Sequence, residues 1–417
     1  MGADGHLLRC DVAIVGGGMT GLSLAVALAS LPLDVVVVEP VPVGVGHQPS
    51  FDQRTSALAN GTRRILESLG VWPCITPPPT PIRRIHVSDR GAFGFARIDA
   101  AEQGVEALGC TVTNADLGRA LAGALEGAPR VRLLCPAAVN GIHAATDGLL
   151  LELDGPAVAD GPRRLEARLT VVADGAQSAL RTLLGIGATT WRYDQHAVIA
   201  NVAPQRFHDH VAYERFTPAG PIAMLPAHDG FCTVVWTLAP AAAQRVCELP
   251  DEQFLAELGA AFGTRLGRFL RVGRRHVYPL ALTRSARLVT QRAVVIGNAA
   301  QTLHPIAGQG FNLGLRDVAT LAEVIADDCR ARGADADPGD ERVLAAYADW
   351  RRQDRRTVIG FTDGLVRLFG NPLPPVRAAR ALGLLAFDLF PPAKNALARL
   401  SMGVAGRVPR LARGLPL

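Results

Sequence analysis

Near its start the chain carries a short apolar, β-branched run that ends on three consecutive glycines, and few features restrict a fold as tightly. Asp11-Val12-Ala13-Ile14-Val15 leads into Gly16-Gly17-Gly18-Met19-Thr20-Gly21. Residues 12–15 and 35–39 have the unbroken apolar character of buried parallel strands, and the Ala/Leu-rich stretch 19–31 between them reads as helix. Gly16, Gly18 and Gly21 fit G-x-G-x-x-G. The first glycine permits the tight turn, the second lets backbone approach a pyrophosphate, and the third lets the helix pack close to the strand. The pyrophosphate would then sit on the positive N-terminal end of the helix. Glu39 closes the second strand, where a carboxylate accepts hydrogen bonds from ribose hydroxyls. This unit binds a dinucleotide, and by itself it does not separate NAD from FAD.

Downstream, 54–69 reads as helix, 76–81 as a Pro-rich linker, and 82–98 as a strand pair turning at Asp89-Arg90-Gly91. Helix is predicted at 114–125, 252–262, 314–332 and 340–369. Strands are predicted at 131–134, 149–153, 169–173 and 293–296, with an antiparallel set at 196–202, 212–216, 222–225 and 233–238. βαβ units interrupted by antiparallel blocks imply an α/β fold: a Rossmann-like cofactor domain, an interleaved antiparallel-sheet substrate domain and a C-terminal helical segment. The expected division is 1–75, 111–185 and 286–345 for the first, 76–110 and 186–285 for the second, and 346–417 for the third.

Composition excludes several alternatives. No window approaches ~18 uncharged apolar residues, so no transmembrane helix is expected. The first apolar run passes straight into the glycine motif, which speaks for structure over a signal peptide. The cysteines at 10, 74, 110, 135, 232, 247 and 329 form no CxxC pair, as expected of reduced cytosolic thiols and not of a metal site. Lys394 is the single lysine and follows no Gly-rich loop, which leaves no Schiff-base or P-loop lysine. The net charge is +5, and residues 371–417 alone contribute seven basic residues against Asp388. A basic tail without interleaved aromatics suits an anionic membrane surface and not nucleic acid.

Two further segments carry a resemblance. One is Val171-Val172-Ala173-Asp174-Gly175-Ala176-Gln177-Ser178-Ala179-Leu180-Arg181. The other, running from Gly297-Asn298 through His304-Pro305-Ile306-Ala307-Gly308-Gln309-Gly310-Phe311-Asn312 to Arg316-Asp317, is the most specific string in the chain. Together they resemble the group A flavin-dependent aromatic hydroxylases of the para-hydroxybenzoate hydroxylase fold. The resemblance implies tightly bound FAD, with NAD(P)H as co-substrate and O2 as oxidant, and so an FAD-binding domain where the cofactor domain was drawn. It places Asp174 and Gly175 near the FAD pyrophosphate, and Asn298, Pro305, Gly308, Gln309, Gly310 and Asn312 along the flavin. The family usually has Gly-Asp where this chain has Gly297-Asn298; an amide still accepts from a ribityl hydroxyl and adds a donor. Arg54, in Phe51-Asp52-Gln53-Arg54, and Arg119 match positions where the family sets side chains beside the cofactor. No catalytic residue is named outright. His304 is the one candidate base, and a loop histidine bonded to backbone is the other reading of it. No metal is implied.

The similarity extends to His86-Val87-Ser88-Asp89-Arg90-Gly91, Glu214-Arg215-Phe216-Thr217, Gly220-Pro221-Ile222-Ala223-Met224-Leu225-Pro226 and Tyr278-Pro279-Leu280-Ala281-Leu282. These look like the ubiquinone-biosynthesis hydroxylases. What that implies is hydroxylation of a prenylated phenol: most closely 2-polyprenyl-6-methoxyphenol at C1, with C5 of 2-polyprenylphenol as the alternative, and a non-catalytic flavoprotein of the biosynthetic complex as a third reading. Other proteins of that pathway are the implied partners. A bilayer substrate suggests a cytoplasmic protein held peripherally at the membrane. The expected contact is an amphipathic helix with apolar Leu382, Leu384, Leu385, Phe387, Leu389 and Phe390 edged by Arg377, Arg380, Lys394 and Arg399.

Overall fold

A computed structural model describes residues 7–42, 50–159, 161–371 and 373–417, the side chains of 307, 374 and 377 excepted. Its first sheet holds four strands parallel to Leu7–Val15: Val35–Val38 beside it and then Val131–Leu134 on one side, Arg164–Val172 beside it and then Ala293–Val295 on the other. The central strands are apolar on both faces because helices cover both; all four residues of Val35–Val38 are buried. Leu149–Asp154 and Ala138–Ala144 extend Arg164–Val172 antiparallel.

The second sheet runs Gln301–Thr302, His276–Ser285, Ala188–Pro204, Cys232–Leu238, Gly220–Pro226, Val211–Thr217, Arg84–Asp89, Phe95–Asp99, with Phe269–Val272 beside Ala188–Pro204. It is antiparallel except for one parallel pair, Val211–Thr217 with Arg84–Asp89, where the chain returns from a distant stretch of sequence. A third sheet of Thr55–Ala59, Gly109–Thr113 and Thr80–Ile82 is also present.

The helices, in chain order, are α1 (Met19–Leu28), α2 (Asn60–Ser68), α3 (Asn114–Gly123), α4 (Ala179–Leu183), α5 (Pro240–Glu248), α6 (Asp251–Phe262), α7 (Gly297–Ala300), α8 (Gln309–Arg332), α9 (Glu341–Gly370), α10 (Pro374–Asp388) and α11 (Pro391–Ser401). α1, α3, α8 and α9 contribute to one core around the parallel sheet, and α5 and α6 to a second core against the antiparallel sheet.

Three expectations are corrected. The helix predicted over 54–69 is a strand, Thr55–Ala59, followed by α2. Its Ala/Leu content favours helix locally, but pairing along its whole length with Gly109–Thr113 overrides that propensity. The Pro-rich linker 76–81 runs into a paired strand, Thr80–Ile82. The helix expected from residue 314 starts at Gln309, so the end of the glycine-rich loop is already helical.

The tail is not one surface element either. Beyond α11 it returns to the main core: Leu411 and Ala412 are buried, the Met402 carbonyl accepts the Gly61 N–H at 2.8 Å, and the Trp350 indole donates to the Arg407 carbonyl at 3.1 Å.

Candidate active site

Strand register assembles the glycine motif and both later segments on one edge. Val15 is aligned with Val38 and with Val172, and Val172 with Val295. The residues that follow, Gly16, Glu39, Ala173-Asp174 and Ile296-Gly297, therefore leave the sheet side by side, at the carboxyl ends where open α/β sheets bind ligands. Gly16 has φ +111°, and a Cβ there would lie 2.4 Å from the Ala173 carbonyl oxygen. A Cβ on Gly21 would lie 1.9 Å from the Gly16 carbonyl oxygen, so the α1 helix reaches the strand only because both are glycine. Gly18 is the N-cap of α1 and supplies no side-chain cap, which leaves the first-turn N–H groups open to an anion.

Glu39 is buried and accepts backbone N–H groups from Gly17 at 2.5 Å and Val41 at 2.9 Å. It thus holds the glycine turn in shape besides facing the same edge. The Asp174 carboxylate accepts the Leu180 N–H through Oδ2 at 3.1 Å, while its buried Oδ1 has no protein partner. A buried acceptor without a donor is costly, and a donor group on a ligand would satisfy it. Gly175 follows in the turn, and Arg181 reaches back from α4 to the Ala299 carbonyl at 2.7 Å, tying this segment to the next.

In that next segment Gly297, Ala299, Ala300 and Gln301 are buried and Asn298 alone is exposed, into a cavity. Pro305, Gly308, Gln309, Gly310 and Asn312 line the same cavity. The N-terminus of the 24-residue α8 opens there without a side-chain cap, and nothing lies within 4 Å of where a Gly310 Cβ would be. Asn312 turns its amide to protein: Oδ1 accepts from Ala59 N–H at 2.8 Å, and Nδ2 donates to the Ala57 and Gly308 carbonyls at 2.9 and 2.7 Å. Gln309 donates to the Ser401 carbonyl at 3.4 Å.

Arg54 lines the cavity, pairs with Asp52, and lies with its guanidinium 4.7 Å from the Tyr278 ring centroid. Arg119 sits elsewhere: it pairs with Asp116 one turn earlier on α3, donates to the Thr76 carbonyl at 3.2 Å, and does not line the cavity. His304 is 1% exposed and also outside the lining, with Nδ1 accepting the Ile306 N–H at 3.3 Å and its ring edge-on to Tyr193. Burial pushes its pKa down to about 4, which keeps it neutral.

The cavity measures about 1920 Å³. From Met19, Gln177, Asn298 and Pro305 it runs between Ile199, Ala223, Leu225 and Val235 of the second sheet and Phe361 and Leu365 of α9, and ends against Leu384 and Phe387 of α10. Pockets for drug-sized ligands span ~300–1,000 Å³, so this one has room for a cofactor ring and a bulky apolar ligand together. The cradle of glycines, two uncapped helix N-termini, the unsatisfied Asp174 oxygen and the cavity-facing Asn298 fit a dinucleotide carrying a ring system at its far end.

Sequence reasoning passed over the groups behind this surface. Asp317, Arg351 and Arg355 are buried beneath the 297–301 turn. In the sequence the Arg pair lies within a charge-rich run of the predicted helix, Arg351-Arg352-Gln353-Asp354-Arg355-Arg356. The usable signal was helical spacing: Val343, Tyr347, Arg351, Arg355, Val358 and Thr362 share the buried face of α9.

Comparison with known proteins gives a consistent set. The family described as FAD binding domain matches residues 9–362. The chain is 39% identical to ubiquinone hydroxylase UbiL of Rhodospirillum rubrum, over 98% of this chain and 93% of that protein. It is 34% identical to 3-demethoxyubiquinol 3-hydroxylase of Escherichia coli, over 94% and 98% of the two chains. Among solved structures, p-nitrophenol 4-monooxygenase PnpA of Pseudomonas putida superposes with a TM-score of 0.78 at 20% identity, covering 96% of this chain and 99% of that one, which speaks to the fold.

Proposed function

The chain belongs to the FAD binding domain family, among its ubiquinone-biosynthesis hydroxylases, and from that premise we propose that it hydroxylates a 2-polyprenyl-6-methoxyphenol at C1 in ubiquinone ring numbering, the carbon para to the existing hydroxyl. The carrying observation is the cavity, which joins the cofactor-facing residues Asn298 and Pro305 to an apolar end at Leu384 and Phe387. When bound, FAD reduced by NAD(P)H supplies one oxygen atom of O2 to the ring, and the other leaves as water. The protein's part is placement and exclusion of water. Glu39 and Gly16–Gly21 take the adenosine and pyrophosphate end, Asp174 accepts from a donor on the cofactor, and Asn298 meets the polyol chain. The walls from Ile199 to Phe361 hold the ring and the first prenyl units away from solvent. His304, neutral and turned from the cavity, supports the loop and takes no proton from substrate.

C1 is favoured by Asn298 and the uninterrupted run to Asp317, where the chain most resembles hydroxylases of that position. Cells lacking the gene test the assignment through their accumulated quinone precursors. A 2-polyprenyl-6-methoxyphenol supports it. A 2-polyprenylphenol moves the chemistry to C5, and a demethoxyubiquinol to the ring position named for the Escherichia coli relative.

Peripheral membrane contact belongs to the same reading. No helix among the described residues is long and apolar enough to cross a membrane. Leu382, Leu385, Leu389 and Phe390 are exposed on and just after α10, the helix whose Leu384 and Phe387 wall the cavity. A bilayer seated on that face would lie one helix away from the substrate's apolar end. The basic edge is thinner than expected: Arg380 is buried against Asp89 at 2.9 Å, and Lys394 pairs with Glu102 and Asp388. Arg399 is exposed, and the Arg377 side chain lies outside the described residues. Attraction through apolar area therefore outweighs attraction through charge.

A further inference from the structure

We infer that Arg351 and Arg355 of α9, acting through Asp317 and Gln301, are positioning residues for FAD: they fix the 297–301 turn so that Asn298 alone faces the cofactor. The inference rests on the FAD reading of the cavity.

Several polar groups of the turn are held from behind. Asp317 Oδ2 accepts the Gly297 N–H at 3.0 Å and the Gln301 amide at 2.8 Å. The same carboxylate accepts Arg351 Nε through Oδ1 at 2.7 Å, in a pair whose side chains are 1% and 0% exposed. Arg355 Nε donates to Gln301 Oε1 at 2.6 Å, and its Nη2 reaches the Ala300 carbonyl at 3.1 Å and Ser285 Oγ at 3.3 Å. Arg181 takes the Ala299 carbonyl. Arg351 also reaches the Leu313 carbonyl at 3.3 Å and pairs with Asp354, which in turn holds Arg316 at 3.0 Å.

An ion pair this deep pays a desolvation cost that a hydrophobic pair of equal volume would not, and the gain it can offer is a single geometry. Here that geometry ties Gly297, Ala300 and Gln301 to α9 and to Asp317, and Arg181 ties Ala299. Gln301 and Thr302 are pinned from the other side as well, by pairing with Arg284 and Thr283 of the antiparallel sheet. The turn on which Asn298 sits is thus set by a helix far along the sequence, and neither Arg351 nor Arg355 lines the cavity.

The test is reconstitution of apoprotein with FAD, followed by flavin fluorescence and by visible circular dichroism of the bound flavin, alongside apoprotein thermal melting. Arg355→Met removes hydrogen bonds from a charged donor to Gln301, Ala300 and Ser285. It is expected to weaken FAD binding roughly tenfold to a hundredfold and to change the flavin dichroism. Thr362→Val, on the same buried face of α9 and bonded only within the helix to the Val358 carbonyl, reports what simple loss of helix stability does. It should leave affinity and dichroism unchanged. Should Arg355→Met not fold, Gln301→Met breaks the same link from the turn side with an uncharged residue of similar size, and the same change is expected. Wild-type FAD affinity and dichroism in the folded variant, or a loss no larger than Thr362→Val gives at equal melting temperature, would overturn the inference. Failure of the wild-type protein to bind FAD would overturn the cofactor reading instead.

Discussion

His304 shows how a side chain's surroundings decide what it can do. It lies in the segment most specific to the cofactor, and a histidine there invites the role of base. Its Nδ1 is committed to the Ile306 N–H, so protonation would set two donors against each other, and burial opposes the charge further. The consequence is a dependence of stability on pH. The pKa falls from 6.5 to about 4 on folding, so the unfolded chain takes up a proton across that window while the folded one does not. This contribution to stability is complete above about pH 6.5 and is lost as pH falls toward 4. His86 has the same sign, through burial first and then Arg265 and Arg97, and also reaches about 4. In His304→Gln the slope of unfolding free energy between these pH values should shrink by about 1.4 kcal/mol per pH unit, the value of one proton. Urea denaturation across that range measures it, and parallel curves for wild type and variant would contradict the argument. At this scale the sequence was informative where one residue type is demanded by local geometry, as at Gly16 and Gly21. It was silent where a charge is satisfied at long range, as with Arg351 and Arg355, because a guanidinium in a helix looks the same whether its carboxylate is 34 residues away or absent.

Among elements, α10 has two apolar faces that serve different ends. Arg380 donates to the Leu368, Phe369 and Asn371 carbonyls at the end of α9 and pairs with Asp89, which locks α10 over the antiparallel sheet with Leu384 and Phe387 inward. The opposite face and the turn after it expose Leu382 and Leu385, then Leu389 and Phe390 at 73% and 57%. Replacing these four by serine should abolish most co-sedimentation with anionic phospholipid vesicles while leaving FAD affinity at the wild-type value. Unchanged vesicle binding would remove the membrane from the account. Truncation of 371–417 would be a poorer experiment, since Leu411 and Ala412 belong to the main core. The apolar residues of α10 were evident in the sequence as a cluster. Their separation into inner and outer faces, and the withdrawal of Arg380 from the basic edge, depended on contact with strands nearly 300 positions earlier. The strand Thr55–Ala59 was missed for the same reason: its partner Gly109–Thr113 is remote, and five residues of Thr, Ser, Ala and Leu carry no period that decides between strand and helix.

For the molecule as a whole, the order of strands makes the site. Five parallel strands from separate stretches of sequence end at one edge, and Gln301–Thr302 passes directly from that sheet's last turn into the antiparallel sheet. The carboxyl-end edge of the parallel sheet and the antiparallel sheet are therefore joined by covalent and paired backbone, with the cavity between them. The alternation of βαβ units and antiparallel blocks made this architecture readable in advance. The large cavity and the closing role of the C-terminal helices were not, since they arise from where the tail folds back. The central claim is that this cavity delivers one atom of O2 to a prenylated phenol. Purified FAD-loaded protein given NAD(P)H and 2-polyprenyl-6-methoxyphenol under oxygen-18 gas, with the product analysed by mass spectrometry, tests it most directly. The account expects a hydroquinone carrying one oxygen-18 atom, with the label placed at C1 by fragmentation. NAD(P)H consumption that yields only peroxide, with the phenol recovered unlabelled and unchanged, would contradict it.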